Sequence, residues 1–273
     1  MIVVRISLLL VVVASLGLTS CQTRQAGGSG ERTGLFGGRK AQKEMADAES
    51  SQEEQSTAHP DHERAAGPLG RRDSYSSVRT HLPLIALTFD DGPHETNTPR
   101  LLDILKARNV KATFYVVATN ARRHPEIMRR IIVEGHEVGN HTVSHGNLTK
   151  MTPDQVRKEL RVAHESIVDT TGIPPRSMRP PYGAITQEQK SWIKSEFGYP
   201  SVLWSVDPED WKRPGSSVVA SRLVSGARPG GILLAHDIHK PTIDAMPSAI
   251  DQLVAKGFQF VTVTQLIALE PRE

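Results

Sequence analysis

The chain has 273 residues, 38% of them apolar, a formal net charge of +3 and a single cysteine. That length supports a sizeable core in one or two domains, while the small net charge and the lack of a Lys/Arg block interleaved with aromatics exclude nucleic acid as a favoured partner. One cysteine excludes an intrachain disulfide framework and any zinc site built from thiolates.

Residues 1–20 read as a secretory signal: Arg5 supplies the positive end, and an apolar run starts at Ile6 and finishes near Leu18 in small residues. The run falls short of the roughly 20 apolar residues that span a bilayer. Leu18, Thr19, Ser20 and Cys21 resemble a bacterial lipobox, in which the cysteine becomes the lipidated first residue of the mature protein. The expectation is an exported cell-envelope lipoprotein held at the membrane through Cys21, with Gln22 pointing to the outer membrane if the host is Gram-negative. Residues 21–80 are rich in Gly, Ser, Glu, Gln and Arg and cannot bury enough apolar surface to offset their ordering entropy, so they read as a flexible tether. A monomeric folded domain is expected over 81–273.

Residues 84–89 form a nearly continuous apolar run ending in Asp90-Asp91-Gly92-Pro93, the pattern of a strand buried on both faces and closed by a turn. Thr98 and Pro99 suit the N-cap and first position of a helix carrying Leu101, Leu102 and Leu105. A strand at 112–117, a helix at 125–134 and a short strand at 136–139 follow. The next helix has the clearest start: Thr152 and Gln155 form a capping box, Val156, Leu160, Ala163 and Ile167 make its apolar stripe, and Gly172 closes it. Beyond it lie a brief strand at 177–179, a helix from Thr186 with Gln189 at its third position and Gly198 past its end, and a strand at 202–206. Then come a helix at 217–227, a strand at 232–235, a helix at 245–256, a strand at 258–263 and a last short helix. About seven β/α units imply a parallel sheet covered by helices, closed as a barrel or doubly wound. In either closure chemistry collects at the carboxyl ends of the strands.

The polar residues fall at those ends. Asp90 and Asp91 end the first strand, His141 and His145 follow the third, Arg179 to Tyr182 the fourth, Asp207 and Asp210 the fifth, and His236 ends the sixth. His141 and His145 are spaced i and i+4, which on a helix would place both imidazoles on one face, close enough to share a metal ion. With Asp91 as an oxygen ligand they form an Asp and two His set of the kind that holds catalytic zinc with one position open. Asp90 can then serve as a base. His136 is expected to be ordinary.

Thr88 to Pro93, His141 to His145, Arg179-Pro180-Pro181-Tyr182, Asp207 to Trp211 and Leu234-Ala235-His236 together resemble the five motifs of the polysaccharide deacetylase family, the NodB-homology or carbohydrate esterase 4 group, in family order. The resemblance covers about 81–268. It implies an α/β fold, a distorted (β/α) barrel, holding Zn2+ or another divalent transition metal on Asp91, His141 and His145. It further implies Asp90 as general base oriented by Arg179, the Tyr182 backbone N–H at the oxyanion, and His236 as general acid. Asp210, rather than the alternative Asp207, should pair with His236 and raise its pKa. Trp211, Leu234 and Pro181, with Trp204, are candidates for the walls of an acetyl-sized pocket, and His239, Lys240 and Asp244 are expected in a loop beside it.

The function so implied is removal of N-acetyl groups from an N-acetylglucosamine-type polysaccharide (peptidoglycan, a related envelope glycan or chitin oligomers) with release of acetate. O-deacetylation of xylan and a non-catalytic carbohydrate-binding lipoprotein are the competing readings. The latter needs neither Asp90 nor His236.

Overall fold

The computed structural model describes residues 69–270; the expected signal at 1–20, the expected lipidation site Cys21 and the part of the expected tether up to residue 68 lie outside them. The strands are β1 Ser74–Tyr75, β2 Leu84–Asp90, β3 Thr113–Val116, β4 Glu137–Asn140, β5 Ser201–Val202, β6 Ile232–His236 and β7 Gln259–Phe260. The α-helices are α1 Asn97–Ala107, α2 Ala118–Arg123, α3 Pro125–Val133, α4 Pro153–Thr171, α5 Gln187–Phe197, α6 Ser216–Gly226, α7 Lys240–Ala255 and α8 Val263–Ile267.

All named ladders are parallel, in the order β4-β3-β2-β6, with β7 pairing the start of β2 and β1 pairing β5. Single bridges complete the circuit: Asn140 pairs with Met178, Met178 with Ser201, and Val206 with Leu233 on β6. The sheet is thus a closed but distorted barrel whose far wall is reduced to isolated residues. Two local causes are visible. Pro180 and Pro181 have no N–H to extend the ladder beyond Arg179, and the carbonyls of Val202 and Leu203 turn to the Arg179 guanidinium instead of a neighbouring strand. The expected strands at 177–179 and 202–206 shrink accordingly.

Alternation along β2 sorts the two faces. Ile85, Leu87 and Phe89 join Phe114, Val116, Leu233 and Ala235 in the core beneath the helices. Ala86 points the other way, into a cluster with Tyr75, Tyr115, Val202, Ile232 and the α8 residues Val263, Leu266 and Ile267. That cluster fills the amino-terminal end of the barrel, because α8 bonds the first residues of β3 and β4: Val263 N–H donates to the Thr113 hydroxyl, and Thr264 donates to Glu137. Above the plug the inward residues of β2 become Thr88 and Asp90.

The capping boxes at Thr152/Gln155 and Thr186/Gln189 and the left-handed caps at Gly172 and Gly198 are present as expected. Three expectations change. Residues 69–80 belong to the folded unit, not the tether: Tyr75 is fully buried and its hydroxyl donates to Glu270. Helix α7 starts at Lys240, so Lys240 and Asp244 are helical and form an i, i+4 ion pair; Pro241 sits in the first turn, where its missing N–H costs nothing. Helix α2 was not anticipated.

Candidate metal centre and active site

The segment after β4 is not a helix. Residues 141–147 form an irregular turn in which Thr142 (φ 66°) and His145 (φ 58°) adopt left-handed backbone. The two histidines are therefore brought together by a turn and not by one face of a helix. Thr142 N–H donates to Asn140 Oδ1, His145 N–H donates to Thr142 Oγ1, and the chain folds back so that both rings meet Asp91. Asp91 is itself left-handed (φ 76°), and its carbonyl accepts from Asn120 on α2 at 2.8 Å. Each such non-glycine residue costs about 1–2 kcal/mol, so the arrangement persists only because its surroundings enforce it.

Asp91 Oδ1 lies 3.1 Å from His145 Nε2 and 3.4 Å from His141 Nε2. The three donor atoms of this trio lie within 4.8 Å of one another. Asp91 Oδ1 is enclosed and has no hydrogen-bond partner, an expensive state for a buried acceptor. His141 Nδ1 lies 2.7 Å from the Arg179 carbonyl; a carbonyl only accepts, so Nδ1 carries the proton and Nε2 presents a lone pair to Asp91. Burial alone would raise the Asp91 pKa; where the rings are also protonated at Nε2, His141 and His145 hold it well below the usual carboxylate range. Two imidazole nitrogens and an unpaired carboxylate oxygen converging on one point fit a divalent cation.

Asp90, 3% exposed, adjoins this trio. Its Oδ1 accepts from Arg179 at 2.6 Å, and its Oδ2 lies 3.8 Å from His141 Nε2. Arg179 is fully buried and satisfied: it donates to Asp90, Thr88 Oγ1 and the carbonyls of Val202 and Leu203, and its guanidinium lies 4.3 Å from the centre of the Tyr115 ring.

On the neighbouring strand, His236 is the register partner of Asp90. Its Nδ1 pairs with Asp210 Oδ1 at 2.7 Å and its N–H donates to Asp210 Oδ2, which also accepts from Thr242 at 2.7 Å. Nε2 is the ring nitrogen that Asp210 does not engage. Burial disfavours the charged ring, but the bond to Asp210, with the negative charges of Asp210, Asp90 and Asp91, raises the His236 pKa to about 9. Asp207 is exposed and only caps the turn at Glu209 N–H, so the partner is Asp210.

The other candidates spread differently. Tyr182 (φ 60°) brings its ring edge-on to His145, with centroids 4.6 Å apart, and is 68% exposed. Trp211, 52% exposed, is a rim residue, whereas Leu234 and Pro181 are buried. His136 is structural: its Nδ1 accepts from Ala112 N–H, and burial, with Lys111 nearby, lowers its pKa to about 4. Sequence reasoning missed Thr88, Tyr115, Asn120, Asn140, Glu159, Thr242 and Asp237. Asp237 is fully buried against Gly92, accepts from Thr98, and is raised to about 7 by burial, with the Asp91 charge adding. Asp237 was legible only as the carboxylate directly after His236.

Fold and site thus define a distorted (β/α) barrel with a candidate metal centre beside Asp90 and the Asp210-paired His236 at the carboxyl ends of its strands. Residues 77–202 match the polysaccharide deacetylase family. The chain is 41% identical over 182 residues to the peptidoglycan-N-acetylglucosamine deacetylase PgdA of Listeria monocytogenes, which takes in 67% of this chain and 38% of that protein. It therefore spans well under half the length of that relative. It is 38% identical over 199 residues to the chitooligosaccharide deacetylase of Bradyrhizobium sp., covering 67% of this chain and 90% of that one. The crystal structure of the Bc1960 peptidoglycan N-acetylglucosamine deacetylase with 4-naphthalen-1-yl-N-oxidanyl-benzamide superposes with a TM-score of 0.69 at 36% identity, over 74% of this chain and 95% of that one. The chain belongs to the polysaccharide deacetylase family.

Proposed function

We propose that the protein is a metal-dependent hydrolase that removes N-acetyl groups from an N-acetylglucosamine-type polymer, with an envelope glycan such as peptidoglycan as its first candidate substrate. The observation that carries this reading is the enclosed, unpaired Asp91 Oδ1 lying 3.1 and 3.4 Å from two imidazole nitrogens, beside Asp90. A zinc ion held by Asp91, His141 and His145 would supply a Lewis acid that polarises the acetyl carbonyl and acidifies water.

The protein's own groups do the rest. Asp90, fixed by Arg179 through Oδ1, has Oδ2 free to take a proton from the attacking water. Tyr182, whose ring lies edge-on to that of His145, is assigned from the family resemblance to donate its backbone N–H to the developing oxyanion. His236, held protonated by Asp210, gives a proton from Nε2 to the departing nitrogen as the C–N bond breaks. Water's hydroxyl stays on the acyl carbon, so the products are acetate and a free amine on the sugar. The names of the Listeria and Bradyrhizobium relatives support a polymer of this class.

Residues 1–20 are proposed as a lipoprotein signal and Cys21 as the lipidated anchor, which would hold a monomeric catalytic domain at the cell envelope. Incorporation of labelled fatty acid into the full chain and not into Cys21→Ser tests the anchor. The activity is tested by incubating zinc-loaded protein with purified peptidoglycan, chitin oligomers and acetylated xylan while following acetate and free amine. Amine release from the first two supports the reading. Acetate from xylan alone would move the assignment to an O-deacetylase, and no release from any of them would sink it.

A further inference from the structure

The turn at 141–147 bears two of the three candidate ligands, yet it contains no regular structure and two left-handed residues. The bonds from Thr142 N–H to Asn140 and from His145 N–H to Thr142 shape the turn, and its first two residues are tied to the body of the protein by His141 N–H to the Val116 carbonyl, His141 Nδ1 to the Arg179 carbonyl and Ala118 N–H to the Thr142 carbonyl; Val143 and Ser144 lie beyond these ties. Helix α4 supplies a tie. Glu159 Oε2 accepts from the backbone N–H of both Val143 and Ser144 at 2.9 Å, and Glu159 Oε1 accepts from the Ser144 hydroxyl at 2.9 Å. Two successive backbone N–H groups converging on one carboxylate oxygen form a small anion cradle, and charge-assisted bonds of this kind are roughly twice as strong as neutral ones.

Glu159 is rigidly presented. Its helix is fixed at the start by the Thr152/Gln155 capping box and along one side by buried Val156, Leu160 and Ala163. One residue further on, the Leu160 carbonyl accepts from Asn140 Nδ2, so the residue just before His141 is tied to the same turn of α4. Thus α4 grips the ligand turn on both sides of His141; between the two histidines α2 holds the Thr142 carbonyl through Ala118 N–H, and Glu159 holds Val143 and Ser144.

We infer that Glu159 is a positioning residue for the divalent-ion site: its carboxylate sets the 141–145 turn so that both imidazole Nε2 atoms face Asp91 Oδ1. The inference rests on the metal-centre reading proposed above. Groups that orient metal ligands typically change metal affinity by roughly 10–100-fold when removed, which sets the size of the effect.

The test uses the full chain and two probes, Zn2+ titrated against a competing chelator and Co2+ followed by its visible absorption, which reports ligand geometry directly. Glu159→Ala removes all three bonds and Glu159→Asp withdraws the carboxylate by one methylene. Both are expected to weaken Zn2+ binding by roughly 10–100-fold and to alter the Co2+ spectrum. Glu159→Gln keeps an oxygen for the two N–H donors and is expected to recover most of the affinity. The melting temperature of metal-free protein is measured alongside. A folded Glu159→Ala or Glu159→Asp with wild-type affinity and an unchanged Co2+ spectrum would overturn the inference, even if its melting temperature fell. If Glu159→Ala does not fold, Glu159→Asp carries the test. Failure of the wild-type chain to bind either ion is a separate outcome, and it refutes the metal-centre reading itself.

Discussion

The two halves of the site treat their aspartates in opposite ways. Asp210 is closed on all sides: one oxygen holds the His236 ring, and the other accepts from His236 N–H and Thr242. Asp91 is equally enclosed at Oδ1, but that atom has two imidazoles beside it and no hydrogen bond. A satisfied buried carboxylate contributes to a folded state on its own, whereas an unsatisfied one carries a desolvation cost that only a further partner can offset. The Asp210 side is thus complete as folded, whereas the Asp91 side leaves an acceptor that the proposed cation would satisfy.

The largest effect should come from removing a ligand on the incomplete side. His141→Ala leaves Asp91 and His145 without the ring that Arg179 orients, and turnover is expected to vanish together with Zn2+ binding. At a free ion concentration of 100 times Kd, Zn2+ should stabilise wild type by about 2.7 kcal/mol through mass action, and His141→Ala should show no such shift in melting temperature. A zinc-dependent rise of equal size in both proteins would break the comparison, because it would place the ion elsewhere.

Asp90 stands between the halves, bonded to Arg179 and register-paired with His236. Asp90→Asn keeps the shape and removes the base, so turnover should fall by about 100- to 10,000-fold while Zn2+ affinity stays close to wild type. Near-normal turnover would show that another group takes the proton.

On the complete side the readout is pH. The His236 pKa of about 9 lies above the ordinary value of about 6.5, so its contribution to stability is fully present below pH 6.5 and is lost as pH rises through 9. In the proposed reaction the same proton serves the leaving group, so turnover should fall through that alkaline range. A bound cation offsets the pull of Asp91, leaving Asp210 as the main support. Asp210→Asn should therefore move the alkaline limb of the rate profile down toward the ordinary histidine value. An unmoved limb would mean that the limb belongs to another group.

Much of this was legible in the sequence, and what was not has identifiable causes. The apolar run before Asp90 and the capping box at Thr152 are local signals, and local chemistry decides them. The convergence of His141 and His145 on Asp91 was anticipated although their turn is not helical, because residue type and strand-end placement carried more information than the presumed period. The far wall of the barrel was not legible. Met178 and Val206 count as strand only through single bridges, and whether the carbonyls of Val202 and Leu203 face a strand or Arg179 depends on a guanidinium more than twenty residues away. Glu159 left a faint trace, a carboxylate three residues after Val156 and one before Leu160, at the edge of an apolar stripe. Nothing local says what such a carboxylate faces.

The smallest predicted effect is also the most selective. Thr242 is buried and gives Asp210 Oδ2 one of its two hydrogen bonds. Thr242→Val keeps the shape and deletes only the hydroxyl, and a bond to a charged acceptor is worth about 1.5–3 kcal/mol. The melting temperature should drop by about 2–4 °C for each kcal/mol lost, for a folded unit of this size. His236 keeps both of its contacts to Asp210, so the alkaline limb should move far less than in Asp210→Asn, and Zn2+ affinity should not change. If Thr242→Val instead weakened Zn2+ binding as strongly as a ligand variant, the two halves would be one coupled network, and the contrast between a complete and an incomplete side would fail.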